Sequence, residues 1–180
     1  MQVITDQVLA FSKDNAPCAT AQPGEVLLFK TQDCFAGRIP TEDVTMKDLN
    51  FSYGFTNPAA GPVYIEGAEP GDVLVVSCAG YTERAVTGEI MANVALRRGL
   101  AGFVVDGAVR DAAALRQLDF PVYARAVSPN GPYKSACGAV NVPVALGNVV
   151  VSPGDIIVGD ADGLVAVRPQ EAQEAAEKAR

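Results

Sequence analysis

Glu89, Arg110 and Asp111 are the residues of this chain whose types and spacing best suit chemistry. Gly88-Glu89-Ile90-Met91 opens the text that holds them. A helix-like segment, Ala92 to Arg98, and an apolar run, Leu100 to Val105, follow, and Ala108-Val109-Arg110-Asp111 closes it. A helix that begins at one end and a strand that finishes at the other would bring Glu89 and Asp111 close together. A helix N-terminus offers free N–H groups and a partial positive charge, which suits a substrate carboxylate. Arg110 adds a two-pronged grip on the same group. Asp111 suits a hard divalent cation that keeps several of its waters. Glu89 can orient one of those waters or move a proton. The same residues also read as a surface ion pair after a strand and a glutamate in a helix's first turn. Spacing alone leaves both readings open.

The elements that must position these residues alternate. A strand Val73 to Ser77 leads through Gly80-Tyr81-Thr82 into a helix from about Arg84 to Arg98, with Gly99 as a C-terminal cap. Its small residues Ala85, Gly88, Ala92 and Ala95 allow close packing on a sheet. A strand Gly102 to Val105, a turn at Asp106-Gly107, a helix from about Asp111 to Leu118 and a strand Phe120 to Ala124 complete the run. Strands alternating with helices predict a parallel α/β core.

Residues 1–79 read mainly as strands and turns, with a polar stretch from Pro40 to Asn50 and a cluster of turn formers from Asn57 to Pro62. After the core come a polar loop, Ser128 to Gly138 with Lys134, and short strands at 140–146, 149–151, 156–158 and 164–167. A terminal helix, Glu171 to Arg180, starts with acid and ends with base, as the helix dipole favours. Pro-Gly-acid precedes an apolar strand at Pro23, Pro70 and Pro153. The unequal spacing excludes a repeat, and a turn feeding a buried strand accounts for the pattern. Gly159 to Gly163 lacks the ligand ladder and closing Glu of a calcium loop.

The totals exclude several classes. With 49% hydrophobic and 19% charged residues the chain can bury a core. A net charge of -7 argues against binding nucleic acid through phosphate contacts. No apolar run is long enough to span a membrane, and Met1 to Asp14 lacks the basic start and apolar core of a secretion signal. Cys18, Cys34, Cys78 and Cys137 are scattered with no C-x-x-C pair, so a cytoplasmic setting is expected. With 0 histidines, no Ser-His-Asp triad, Cys-His pair or His-ligated zinc can form.

Residues from about Gly71 to Pro169 resemble the RraA-like family, which includes 4-hydroxy-4-methyl-2-oxoglutarate aldolases and regulators of ribonuclease activity. The matching text is Gly71-Asp72-Val73-Leu74-Val75-Val76, Thr82-Glu83-Arg84-Ala85, Gly88-Glu89, the whole of Leu100 to Asp111, Phe120-Pro121-Val122, Val140 to Val144, Pro153-Gly154-Asp155 and Asp160-Ala161-Asp162-Gly163. The resemblance implies an RraA-like, phosphohistidine-domain-like α/β core. It also implies a divalent-metal-dependent (magnesium or manganese) lyase that cleaves a 4-hydroxy-2-oxo acid to pyruvate, with oxaloacetate decarboxylation as a related activity. The family's aldolases carry an acidic residue, a fixed interval, then Arg-Asp, matched here by Glu89, residues 90–109 and Arg110-Asp111. By that likeness Asp111 binds the metal. Arg110 and the Gly88 to Met91 segment hold the pyruvyl group, and Glu89 serves with Arg110 and Asp111 in catalysis. A homotrimer or hexamer is the implied assembly.

The first part resembles a different family, the acetamidases/formamidases. Its text is Phe11 to Pro17, Pro23-Gly24-Glu25, Thr31 to Gly37, Asn57 to Tyr64 and Glu66 to Leu74. The two resemblances meet at Gly71-Asp72-Val73-Leu74. The expected organisation is therefore a β-rich, amidase-like segment over residues 1–70 and an RraA-like core with a terminal helix over 71–180. Two alternatives follow: hydrolysis of small amides, or a non-enzymatic binding protein like the ribonuclease regulators.

Overall fold

In the computed structural model the chain divides into two compact units, Met1–Ala68 with Gly131–Val140, and Glu69–Asn130 with Asn141–Arg180. The structure describes all residues except 10–13, 33–35, 37–42, 45–57, 134 and 180. The amidase-like text at 11–13 and 33–35, Asn57, most of the polar stretch 40–50, and Lys134 lie outside the described residues.

The first unit is made of short strands: β1 (Gln2–Ile4), β2 (Gln7–Val8), β3 (Ala19–Ala21), β4 (Val26–Lys30), β5 (Ala59–Ala60) and β6 (Val63–Ile65). β1 lies parallel to β4, β3 parallel to β6, and β2 antiparallel to β5. Ile4, Ala21 and Leu27 are buried in it.

The second unit carries the candidate site. Its first elements are β7 (Val73–Ser77), β8 (Ala85–Thr87), α1 (Glu89–Arg97), β9 (Gly102–Val109), α2 (Ala112–Leu115) and β10 (Val122–Val127). All four strands run parallel. β9 is central and every residue of it is buried. β10 flanks one side of β9. β7 pairs with the first part of the other side and β8 with its end. A strand buried all round reads as an unbroken apolar run, which is why Leu100 to Val105 stands out in the sequence. The core gathers Ala92 and Ala95 of α1, Phe103, Val105 and Val109 of β9, and Leu115 and Phe120. The Phe103 and Phe120 rings meet edge to face at 5.0 Å.

β11 (Ser135–Ala139) belongs to the first unit and pairs antiparallel with β4. The chain then returns to the second unit as two hairpins, β12 (Val144–Leu146) with β13 (Val149–Val151) and β14 (Ile156–Gly159) with β15 (Leu164–Val167). A 3₁₀ turn, Pro169–Glu171, and α3 (Ala172–Lys178) end it.

The three Pro-Gly-acid segments are one turn used three times. Gly24, Gly71 and Gly154 all have positive φ, as the third position of a type II turn requires. In each, the acid's carboxylate accepts the N–H three residues back: Glu25 from Gln22, Asp72 from Glu69 and Asp155 from Ser152.

Four local expectations change. Ala85 to Thr87 is a strand, and the helix begins only at Glu89. Val86 packs against the core while Ala85 and Thr87 are buried, so this short run is covered on both faces as it pairs with β9. Asp106-Gly107 is not a turn but the middle of β9. Buried Asp106 pairs with the Arg125 guanidinium from β10. Gly107 sits where the chain passes close by: a Cβ there would stand 2.9 Å from Cys78 Cβ and 3.0 Å from the Tyr81 carbonyl oxygen. The loop expected over 128–138 contains most of β11, and the strand expected over 140–146 shortens to Val144–Leu146.

Candidate functional site

Parallel pairing sets the ends of β8, β9 and β10 side by side. Thr87 and Val127 both pair with Val109, so Thr87, Val109 and Val127 form one row across the sheet. Two backbone bonds lock this row. The Arg110 N–H donates to the Thr87 carbonyl at 3.0 Å, and the Ser128 N–H to the Val109 carbonyl at 2.9 Å. The next residue of each strand end is Gly88, Arg110 or Ser128. With strands about 4.8 Å apart, the three span roughly 10 Å.

Gly88 caps α1, whose first residue is Glu89. Asp111 takes a left-handed conformation (φ 57°, ψ 35°), which an aspartate tolerates, and turns the chain from β9 into α2. That turn swings its carboxylate back onto the start of α1. Asp111 Oδ2 accepts the Glu89 N–H at 3.1 Å and lies 3.5 Å from Arg110 Nε. Glycine at 88 leaves the room this carboxylate occupies: a Cβ there would stand 2.4 Å from Asp111 Oδ2 and 2.8 Å from Arg110 Cγ, and both side chains would have to shift. The structure thus brings together Gly88, Glu89, Arg110 and Asp111. Ile90 and Met91 follow on the exposed first turn of α1. The first helical bond runs from Ala92 N–H to the Gly88 carbonyl. Ile90 and Met91 N–H therefore lie ahead of the helix's own bonding, open to an anion.

An open depression of about 330 Å³ lies over these strand ends, lined by Arg110, Asp111, Val127, Ser128 and Pro129. The Arg110–Asp111 pair is nearly half exposed on both sides, so water screens it. The pair uses Nε alone. Among the described residues no contact engages the two terminal guanidinium nitrogens, the pair that grips a carboxylate side-on. Asp111 Oδ1 is likewise uncommitted there.

The donor chemistry bears on a metal. Among the described residues no group of three or more His, Cys, Asp or Glu could enclose an ion. One free carboxylate oxygen in an open depression suits a hard divalent cation that keeps most of its waters and takes further oxygens from substrate. It does not suit a zinc site enclosed by side chains.

Three further residues shape the site without having stood out in the sequence. The Thr87 hydroxyl is buried with no hydrogen-bond partner among the described residues. Val127 and Ser128 form one wall. Their role depends on strand register, which a polar-loop reading starting at Ser128 does not contain.

A family model described as RraA-like: Aldolase/RraA matches residues 17–166. The chain belongs to this family. The match begins inside the segment whose text resembles an amidase. A curated relative from Halalkalibacterium halodurans carries the provisional name 4-hydroxy-4-methyl-2-oxoglutarate aldolase. It is 41% identical over 113 residues, 63% of this chain and 54% of the relative. The chain thus spans about half the length of that protein. Two solved RraA-like structures share the fold. One is an unusual Streptomyces coelicolor member of the RNase ES inhibitor RraA family, 39% identical, covering 63% of this chain and 59% of that one with a TM-score of 0.57. The other is the RNA-processing inhibitor RraA from Thermus thermophilis, 34% identical, covering 55% and 62% with a TM-score of 0.51. No helix among the described residues is long and apolar enough to cross a membrane.

Proposed function

We propose that this RraA-like chain is a divalent-metal-dependent lyase that cleaves a 4-hydroxy-2-oxo acid of the 4-hydroxy-4-methyl-2-oxoglutarate type to pyruvate, with oxaloacetate decarboxylation as a related activity. One observation carries the reading. The Arg110 guanidinium and the Asp111 carboxylate meet at the N-terminus of α1, beside an open depression at the ends of three parallel strands. Open α/β sheets bind ligands at these carboxyl ends.

The residues divide the work. Arg110, through its terminal nitrogens, and the Ile90 and Met91 N–H groups hold the substrate carboxylate. Gly88 leaves room for Asp111 beside the helix start, and the Glu89 N–H holds Asp111 Oδ2, which leaves Oδ1 without a partner among the described residues. Asp111 holds a magnesium or manganese ion, which supplies Lewis acidity at the 2-keto oxygen when bound. Glu89, with its exposed carboxylate, orients a water or carries the proton that the C–C cleavage requires. The proposed assembly is a homotrimer or hexamer, measurable by light scattering.

A second reading is a non-enzymatic regulator. It draws on the two solved relatives named as inhibitors of RNA processing or of an RNase. The test is pyruvate formation from oxaloacetate and from 4-hydroxy-4-methyl-2-oxoglutarate, with magnesium and then with EDTA, in wild type and Asp111→Ala. Metal-dependent turnover that the substitution abolishes is expected. A folded, metal-loaded sample without turnover above background would leave the regulator reading in its place. Ammonia release from formamide and acetamide, assayed on the same samples, tests the amidase-like resemblance of the N-terminal segment.

A further inference from the structure

We propose that Val127, together with Pro129, is a specificity-determining wall that favours 2-oxo acids bearing apolar substituents beyond the keto carbon. This builds on the 2-oxo acid reading of the site. The depression's lining is of two kinds. Arg110 and Asp111 supply charge, and Val127, Ser128 and Pro129 supply the rest. An exposed valine alone means little. Val127 is 61% exposed at a particular place: it pairs with Val109, the residue before Arg110. Adjacent strands lie roughly 5 Å apart, so an acid gripped at its carboxylate by Arg110 extends its carbon chain over Val127.

The wall's only hydroxyl is turned away from the ligand. Ser128 is buried. Its Oγ donates to the Glu83 carbonyl at 2.7 Å and accepts the Asn130 N–H at 3.3 Å. What remains for a ligand is the valine methyls and the proline ring. The wall is also held in place. The Ser128 N–H bonds to Val109 of β9, the Asn130 carbonyl accepts the Ala85 N–H at 2.9 Å, and the Asn130 side-chain amide donates to the Glu83 carbonyl at 3.3 Å. These bonds tie residues 127–130 to the end of β9 and to the entry of β8. A wall fixed in advance discriminates by shape, because it cannot swing aside for a poorer ligand.

Calorimetric titration of the magnesium-loaded chain with pyruvate, 2-oxobutyrate and 2-oxoisovalerate tests this. Affinity should rise along the series by about two- to fourfold per added methyl, the fuller value being that of a completely buried group. Val127→Ser should lower the ratio of 2-oxoisovalerate to pyruvate affinity by about threefold or more, and Val127→Leu should keep it or raise it. Arg110→Ala should weaken all three acids together. Val127 is solvent-facing, so both Val127 variants should fold, and their melting curves check this. A wild-type series with no preference, a ratio untouched by Val127→Ser, or no binding of any acid at millimolar concentration would each overturn the proposal. Turnover is not read here. Loss of the lyase reading by assay and loss of the wall by titration are therefore separate results.

Discussion

Gly88→Ala should separate the site from the stability of the fold. The added Cβ would stand 2.4 Å from Asp111 Oδ2, whereas ordinary contact begins near 3.4 Å. The carboxylate must then retreat by the difference, roughly 1 Å. That retreat stretches the 3.1 Å bond from the Glu89 N–H beyond hydrogen-bonding range. Misplacing a catalytic group by about 1 Å can cost on the order of 10²-fold in rate. The folding cost is smaller. The crowded atoms belong to side chains that are 45% and 40% exposed and can move into solvent. Replacing a glycine N-cap with alanine costs about 1 kcal/mol, equivalent to a melting shift of about 2–4 °C in a chain of this size. The assay is kcat/KM for oxaloacetate with magnesium, read beside a melting curve. A second substitution sharpens it. In Gly88→Ala/Asp111→Ala the carboxylate that clashes is gone, so the double variant should lose less stability than the two single variants summed. Turnover within about threefold of wild type in a folded Gly88→Ala protein would refute the claim that this close approach sets the site. A melting drop beyond about 10 °C would show that the glycine serves the core instead.

Three other substitutions or modifications probe the same unit. Thr87→Val keeps the shape of a buried side chain and removes a hydroxyl without a partner, so it should raise the melting temperature by about 2–4 °C, matching about 1 kcal/mol; a lower value would mean the hydroxyl is satisfied. Arg125→Ala strands the buried Asp106 carboxylate. It should cost about 2 kcal/mol in urea denaturation, less than the 3–5 kcal/mol of a fully buried pair because Arg125 is 48% exposed, and Arg125→Lys should restore part. Burial, and then the nearby Asp106 charge, raise the Cys78 thiol above its usual range. The thiolate is the reactive form, so iodoacetamide should label Cys78 more slowly than exposed Cys18 near pH 8, with the gap closing as pH rises. Peptide mass spectrometry reads the ratio, and equal rates at pH 8 would contradict this.

How much of this was legible in the text depends on how local each signal is. The Pro-Gly-acid turns are local, since proline, a positive-φ glycine and a nearby carboxylate define them within four residues. The buried strand β9 announces itself as an apolar run, and the pairing of Gly88-Glu89 with Arg110-Asp111 follows once a helix start meets a strand end. What failed was non-local. Asp106-Gly107 carries the strongest short-range turn signal there is. It is overruled by Arg125 on the neighbouring strand and by the approach of Cys78 and Tyr81. Ala85-Val86-Thr87 is separated from the helix by Gly88 alone, a small residue that also reads as helix packing, and short apolar runs do not distinguish helix from strand. Val127 and Ser128 looked like the edge of a loop because their importance lies in which residue of β9 they face.

That facing is set by two irregularities in the ladder, and they explain why the strand ends coincide. Between Ala85 and Thr87, β8 advances two residues while its β9 partners advance one, from Ala108 to Val109. Without this extra residue Thr87 would sit beside Arg110, and Gly88 would sit beside Asp111. Between Ala124 and Ala126 the mismatch is reversed. β10 advances two residues while β9 advances three, from Val105 to Ala108. Without that shift Val127 would pair with Ala108 and leave the row. The one spare residue of β9 lies within Asp106-Gly107, and the single β10 residue across that interval is Arg125, whose guanidinium takes the Asp106 carboxylate. The ion pair thus sits where the ladder slips. Bulges are rare in parallel sheets and concentrate where a side chain must be re-aimed next to a site. Here one lies on each side of β9, and their combined effect is to bring Gly88, Arg110 and Ser128 level. The Asp106–Arg125 pair lies several residues from the depression, yet it helps hold the register on which the depression depends. A variant that breaks the pair should therefore lose site geometry as well as stability.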